Sequence, residues 1–171
     1  MIRLNAMKEI ELGKVVLNMG IGEGGRELSK AEGVLEEIAG QQPVRTYAVQ
    51  TNQTLEVREG TPLGCKVTLR DEKAENILEK LLEIKGYELE ESSFDRTGNF
   101  SFGIDEHIEI SGMEYDPSLG IYGMDVNVDL IRPGFRIKRR KRKPKKIAKS
   151  HRIDKEEAID FVEEELDVEV V

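Results

Sequence analysis

Apolar residues along this chain recur at two spacings, and the switches between them divide it into elements. Lys14–Met19 (KVVLNM) is a short apolar run that predicts a first strand. Leu28, Ala31, Val34, Leu35 and Ile38 then fall at helical spacing, and Gly40 followed by Pro43 stops that helix. VRTYAVQ (44–50) predicts a second strand and LEVRE (55–59) a third, with TNQT (51–54) as the turn between them. After a loop through Gly60, Pro62 and Gly64, CKVTLR (65–70) alternates. Cys65, Val67 and Leu69 share one face, and Lys66, Thr68 and Arg70 the other. Asp71 is placed to cap a second helix carrying Ile77, Leu78, Leu81, Leu82 and Ile84, which Gly86 ends. Residues 87–120 are rich in Gly, Ser, Asp and Asn and predict long loops with one or two strands around 100–110. GMDVNVDLI (123–131) alternates again, with Met124, Val126, Val128 and Leu130 inward and Asp125, Asn127 and Asp129 outward. Pro133 and Gly134 break it, and Asp154 with Glu157 makes a capping-box start for a last helix.

This order predicts an α+β fold, an antiparallel sheet with helices packed on one face and the other face open to a partner. The 171 residues suit one domain or one domain plus a tail. Aromatic residues are only 5%, so the core rests on Val, Ile and Leu. One cysteine makes neither an internal disulfide nor a zinc site, and Cys65 reads as a small buried apolar residue rather than a nucleophile. No stretch reaches the length of a membrane span and no signal-peptide core opens the chain, so a cytoplasmic protein is expected.

The net charge of −8 is unevenly spread. Residues 132–152 hold twelve Lys or Arg and no acid, whereas 154–171 hold nine acids and one Lys. A run such as KRRKRKPKK (138–146) can neutralise several phosphates and release their counterions, or it can be a solvated charge run or a targeting address. The acids elsewhere are expected to cover solvent-facing surfaces and to leave the open sheet face neutral or basic.

Gly20, Gly22 and Gly25 satisfy G-x-G-x-x-G after a strand and before a helix, which opens an alternative reading as a nucleotide-dependent oxidoreductase. That fingerprint also needs an acid about 20 residues on to hold a ribose. No Asp or Glu stands between Ile38 and Leu55, and Glu23 inside the loop would repel phosphate. Arg26-Glu27 stands where a P-loop needs Lys and Ser or Thr. The plain reading is a glycine-permitted turn. His107 and His151 lie far apart; His107 reads as a surface residue and His151 as a phosphate or solvent contact. No nucleophile elbow, zinc-protease motif or Cys–His pairing is present, so no enzyme, metal or cofactor is expected.

Five stretches in fixed order, KVVLNMGIGEG, IAGQQPVRTYA, REGTPLGCKVTLR, SSFDRTGNFSFGIDEH and EYDPSLGIYGMDVNV, carry a specific resemblance over roughly residues 8–137. The chain resembles universal family five of the large-subunit ribosomal proteins (the L-five or uL-five family), and its C-terminal stretch resembles the archaeal and eukaryotic branch. The resemblance implies a structural rRNA-binding protein that holds 5S rRNA on the open sheet face in the central protuberance. It places 5S contacts on Asn18, Gln41, Leu55 and Thr68, with Leu55 standing where bacterial members usually carry Phe. It implies further contacts with 23S rRNA, other central-protuberance proteins, the P-site tRNA elbow and a small-subunit protein of the S-thirteen family in an intersubunit bridge. The tRNA-facing loop is then Ala48–Thr54, acid-free and carrying Gln50, Thr51, Asn52 and Gln53. Arg45, Lys66, Arg70, Arg139, Arg140 and Arg142 are candidate phosphate contacts. The division that follows is a domain of this type at 1–137, a basic segment at 138–153 and an acidic C-terminal helix and tail at 154–171, packing on or following the domain. A generic polyanion-binding module driven by the basic segment alone remains a third reading.

Overall fold

The computed structural model describes residues 5–22, 24–113, 117 and 119–171. Glu23, which the sequence sets against phosphate, and residues 114–116 and 118 of the fifth motif lie outside them. Strand β1 (Glu11–Gly20) leads through the glycine run into helix α1 (Arg26–Ala39), then β2 (Val44–Tyr47), β3 (Pro62–Leu69) and helix α2 (Asp71–Ile84). A two-residue strand β4 (Glu88–Leu89) precedes β5 (Phe100–Ile104) and β6 (Met124–Ile131). The short helix α3 (Arg136–Arg139), helix α4 (Lys155–Leu166) and β7 (Glu169–Val170) complete the order.

Five strands form one sheet in the order β2-β3-β1-β6-β5, antiparallel at every pairing. β1 and β2 therefore run the same way with β3 between them, and β3 and β6 run the same way with β1 between them. This is the split βαβ arrangement. It overturns the dinucleotide reading, because a doubly wound sheet needs adjacent parallel strands and a crevice where their order reverses.

Alternation decides which face is buried. Val15, Leu17 and Met19 of β1, Cys65, Val67 and Leu69 of β3, and Val126 and Val128 of β6 are all at most 2% exposed. Their face is covered by α1, which packs over β3, and α2, which packs over β1. Leu28, Ala31, Val34 and Leu35 of α1 and Ala74, Ile77, Leu78, Leu81 and Leu82 of α2 supply the other half of the core. Burying a leucine side chain contributes about 1.5–3 kcal/mol, and this two-layer contact is the main apolar burial in the chain. Gly40, left-handed at φ 57°, ends α1. Gly86 and Tyr87 end α2 by returning their N–H groups to Glu83 and Leu82.

The C-terminal elements join the same core through Ile153, Ala158, Val162 and Val168, and β7 pairs parallel with β4. Gly98 makes this docking possible. Its φ is 78°, and an added Cβ would stand 2.4 Å from Ile153 Cγ2.

Three expectations are corrected. LEVRE forms no strand: Asn52 bridges Val57, the Asn52 side chain accepts from Thr54 N at 3.0 Å, and Glu56 takes φ 53°. Turn chemistry there outcompetes alternation, since no core lies beneath Leu55, which is 69% exposed. β2 stops at Tyr47 rather than Gln50, while the single strand β5 near 100–110 is within the one or two expected. His107 is buried at 2% exposure, because residues His107–Glu109 turn instead of running extended. Its Nδ1 accepts from Tyr122 N–H at 3.2 Å, which satisfies the buried ring.

Candidate nucleic-acid interface

Positions opposite each other in an antiparallel pair share a face, so register maps the open side of the sheet. One row runs Val44, Lys66, Asn18, Asp125, Gly103. The next runs Thr68, Val16, Asn127, Ser101, and a third pairs Lys14 with Asp129. These side chains are half-buried or exposed, against the near-complete burial of their neighbours along each strand. Arg70 follows Lys66 and Thr68 at the exposed end of β3.

Three of the four residues marked for 5S contact meet here. Asn18 Nδ2 lies 3.5 Å from Asp125 Oδ2 and stands opposite Lys66. Gln41, on the α1–β2 connection, donates its Nε2 to the Thr68 carbonyl at 3.4 Å. Leu55 instead sits on the turn of the β2–β3 excursion. Gln50, Thr51, Asn52 and Gln53 belong to the same excursion, which is exposed and closed at its base by Ala48 N to Thr61 O and Gly60 N to Ala48 O, both 2.9 Å. Inside it Thr51 Oγ1 accepts from Glu59 N at 3.1 Å.

Arg45 is separated from this set. It stands opposite Cys65, on the helix side of the sheet, and its Nη2 donates to Glu32 of α1 at 2.9 Å. That hydrogen bond holds the Glu32 carboxyl below the usual range. Burial pushes the Cys65 thiol up to about 11, so it is a core thiol and no nucleophile.

The basic segment reaches the sheet. Arg139 Nη2 donates to Asp129 Oδ2 at 2.9 Å, and Lys14 Nζ lies 3.7 Å from the same oxygen. Asp129 thus joins the open face to the cationic loop, its charge offset by two cations. Arg140 Nε donates to the Lys143 carbonyl at 2.9 Å, Lys145 N to Ile137 O at 3.1 Å, and Arg142 is exposed. Sequence reasoning missed the residue that closes this loop. Arg132, 5% exposed, donates Nη1 to Arg152 O at 2.8 Å and Nε to Lys8 O at 2.9 Å, and its Nη2 lies 3.0 Å from Glu157 Oε1. A lone Arg after an alternating strand carries no signal of that role. His151 Nε2 meets Pro133 O at 2.9 Å beside it.

The open face carries three acids, Glu11, Asp125 and Asp129, beside Lys14 and Lys66. Thirteen of the other carboxylates stand on exposed positions of α1, α2 and α4. The glycine run is a turn: Ile21 N and Gly22 N both donate to Leu63 O at 2.9 Å, and Gly22 and Gly25 take φ 81° and 98°.

A helix-backed antiparallel sheet with a polar open face and an attached cationic loop defines an α+β protein whose surface is chemically suited to a polyanionic partner. Among the described residues no group of three His, Cys, Asp or Glu is placed to hold a metal. None of the described helices is long and apolar enough to cross a membrane. The family profile for ribosomal protein L5 matches residues 5–58, and the profile for the C-terminus of the same ribosomal family matches residues 62–163. The large ribosomal subunit protein uL5 of Sulfurisphaera tokodaii is 48% identical over 169 residues, covering 98% of this chain and 96% of that protein. Those of Methanoculleus marisnigri and Methanococcoides burtonii are 51% and 48% identical, covering 98% and 97% of this chain and 100% and 98% of theirs. The chain belongs to the ribosomal protein L5 family, whose members are structural ribosomal proteins and not enzymes.

Proposed function

We propose that the chain is a structural constituent of the large subunit of the cytoplasmic ribosome and binds 5S rRNA on its open sheet face. The observation that carries this reading is the convergence of Asn18, Lys66, Thr68 and Gln41 on one polar surface, joined through Asp129 to the basic loop. Short amide and hydroxyl groups there hydrogen-bond bases and riboses, while Lys14, Lys66, Arg70 and Arg139 position phosphates. The basic loop extends the surface towards further rRNA, 23S rRNA in this assignment, within the central protuberance among its other proteins. The excursion at 48–61 is the part assigned to the P-site tRNA elbow and, with a small-subunit S-thirteen-family protein, to an intersubunit bridge. Its exposure and the acid-free stretch at 48–54 support that assignment. Functionally, 1–137 is the RNA-facing domain, 138–153 the cationic segment and 154–171 the acidic clasp.

Anisotropy titration against matched 5S rRNA and an unrelated structured RNA, at about 0.2 M salt to suppress nonspecific binding, tests this reading. Wild type is expected to prefer 5S rRNA, and Asn18→Ala and Thr68→Ala each to weaken that binding by roughly tenfold, one lost hydrogen-bonding contact apiece. Equal affinity for both RNAs, unchanged in the variants, would remove the sheet face from the interface.

A further inference from the structure

Between the end of β6, the Asp95–Asn99 turn and the basic loop lies a cleft of about 420 Å³. Its floor is apolar: Leu130 and Ile153 are buried, and Phe135 and Ile147 are half-buried. Its walls carry four cations, Lys138, Arg139, Lys146 and Arg152, against one carboxylate, Asp129. Arg139 and Lys14 already offset the charge of Asp129. Lys138 and Lys146 pair with no carboxylate among the described residues.

The cleft is built from braced parts. Asp95 organises its far wall, accepting from Thr97 N at 2.7 Å, Asn99 N at 2.9 Å and Asn99 Nδ2 at 3.0 Å. The loop neck is closed by Arg132 on the Arg152 carbonyl and by His151 on the Pro133 carbonyl. The Phe135 and His151 rings meet at 5.8 Å and 70°, which holds the phenyl ring in place. Arg152 Nε reaches the Ile147 carbonyl at 3.4 Å.

A volume in the ligand-pocket range, with an aromatic and aliphatic floor and a cationic rim, suits a flat base flanked by phosphates. We propose that this cleft holds one unstacked RNA nucleotide, its base against Phe135 and its flanking phosphates on Lys138, Arg139, Lys146 and Arg152. A free mononucleotide shares that chemistry. An RNA strand is the occupant assigned, because the cations continue beyond the cleft through the exposed Arg140, Lys141, Arg142, Lys143 and Lys145, and only a run of phosphates can meet them. The assignment rests on the rRNA-binding reading for the source of the strand, and it adds a second, base-holding site away from Asn18 and Thr68.

The test uses the full chain and three probes: a labelled hexa-adenylate, an abasic RNA hexamer of equal charge, and adenosine monophosphate. The hexa-adenylate is expected to bind roughly tenfold more tightly than the abasic hexamer, the scale of one base on an aromatic ring. Phe135→Leu keeps an apolar floor and is expected to erase that difference, Phe135→Tyr to retain it, and Lys138→Ala to weaken both hexamers alike. In wild type, a 2-aminopurine within the hexamer is expected to change its fluorescence on binding, which keeps the test alive should Phe135→Leu unfold. Equal binding of the two hexamers, no 2-aminopurine signal, or adenosine monophosphate binding as tightly as the hexamer would each overturn the proposal. A base preference at the cleft in a protein that does not select 5S rRNA would sustain the cleft and overturn the 5S reading.

Discussion

Arg132 shows how much one side chain can carry. It is buried, and it holds the Lys8 carbonyl, the Arg152 carbonyl and the Glu157 carboxylate together. Its three partners come from the N-terminal turn, the end of the basic loop and α4, so its loss strands polar groups in three places. Arg132→Ala is expected to cost on the order of 3 kcal/mol, because the part-buried Lys8 and Arg152 carbonyls lose a charged hydrogen-bond donor and the guanidinium stem leaves a gap in the packing. A fall in the urea midpoint with an unchanged slope would bear this out. Full stability in the variant would mean that water replaces the guanidinium. Such roles are hard to read from sequence. The outward positions of Asn18 and Thr68 follow from alternation once a face is named, whereas Arg132, Arg45 and His107 all depend on what lies across from them. Composition groups Arg45 with the phosphate contacts, but its register opposite Cys65 turns it to Glu32. An extended chain would leave His107 on the surface, and a single turn puts it in the core.

At the scale of elements, α4 illustrates local signals and tertiary anchoring acting together. Asp154 and Glu157 form the capping box that their spacing predicts, and Glu157 also meets Arg132. The hydrogen bond from Arg132 is the largest of the effects that hold the Glu157 carboxyl below its usual value. A lowered native pKa means the ionised form stabilises the fold above the unfolded-state value near ~4.3 and loses that contribution as the carboxyl protonates. Glu157→Gln keeps the capping acceptor and removes the charge. Its deficit against wild type is expected to be about 1 kcal/mol at pH 7, limited by solvent screening of the half-exposed carboxylate. The deficit should begin to shrink as pH falls below about 4 and vanish once native Glu157 is protonated. Thermal melts of both proteins across pH 2–7 would read it, and a constant deficit at all pH values would assign the loss to packing. Elements with a core beneath them match their pattern: β1, β3, β6, α1 and α2 follow the apolar spacing closely. The 55–59 stretch has the same alternation and no core, and there Asn52 and the turn decide the backbone.

For the whole molecule, the sheet face and the basic loop are two parts of one surface, joined at Asp129 and braced by Arg132. Replacing 138–149 with a short Gly-Ser linker removes nine of the twelve cations in the 132–152 stretch. RNA affinity at about 0.2 M salt is expected to fall by roughly tenfold or more, and the dependence of binding on salt to become shallower, while preference for 5S rRNA persists. Loss of preference along with affinity would make the loop the specific reader. The alternating strands, the helices and their stops, the capping box and the density of positive charge are all legible in the sequence, because each depends on neighbours within a few residues. The family follows from motifs of the same short range. Three-dimensional packing alone sets the antiparallel strand order that closes off a nucleotide crevice, the side of the sheet on which Arg45 stands, the burial of His107 and Arg132, and the cleft beside Phe135. Those depend on which distant segments share a face, and the free energy that selects among such pairings comes from burial of the whole core rather than from any stretch of sequence within it.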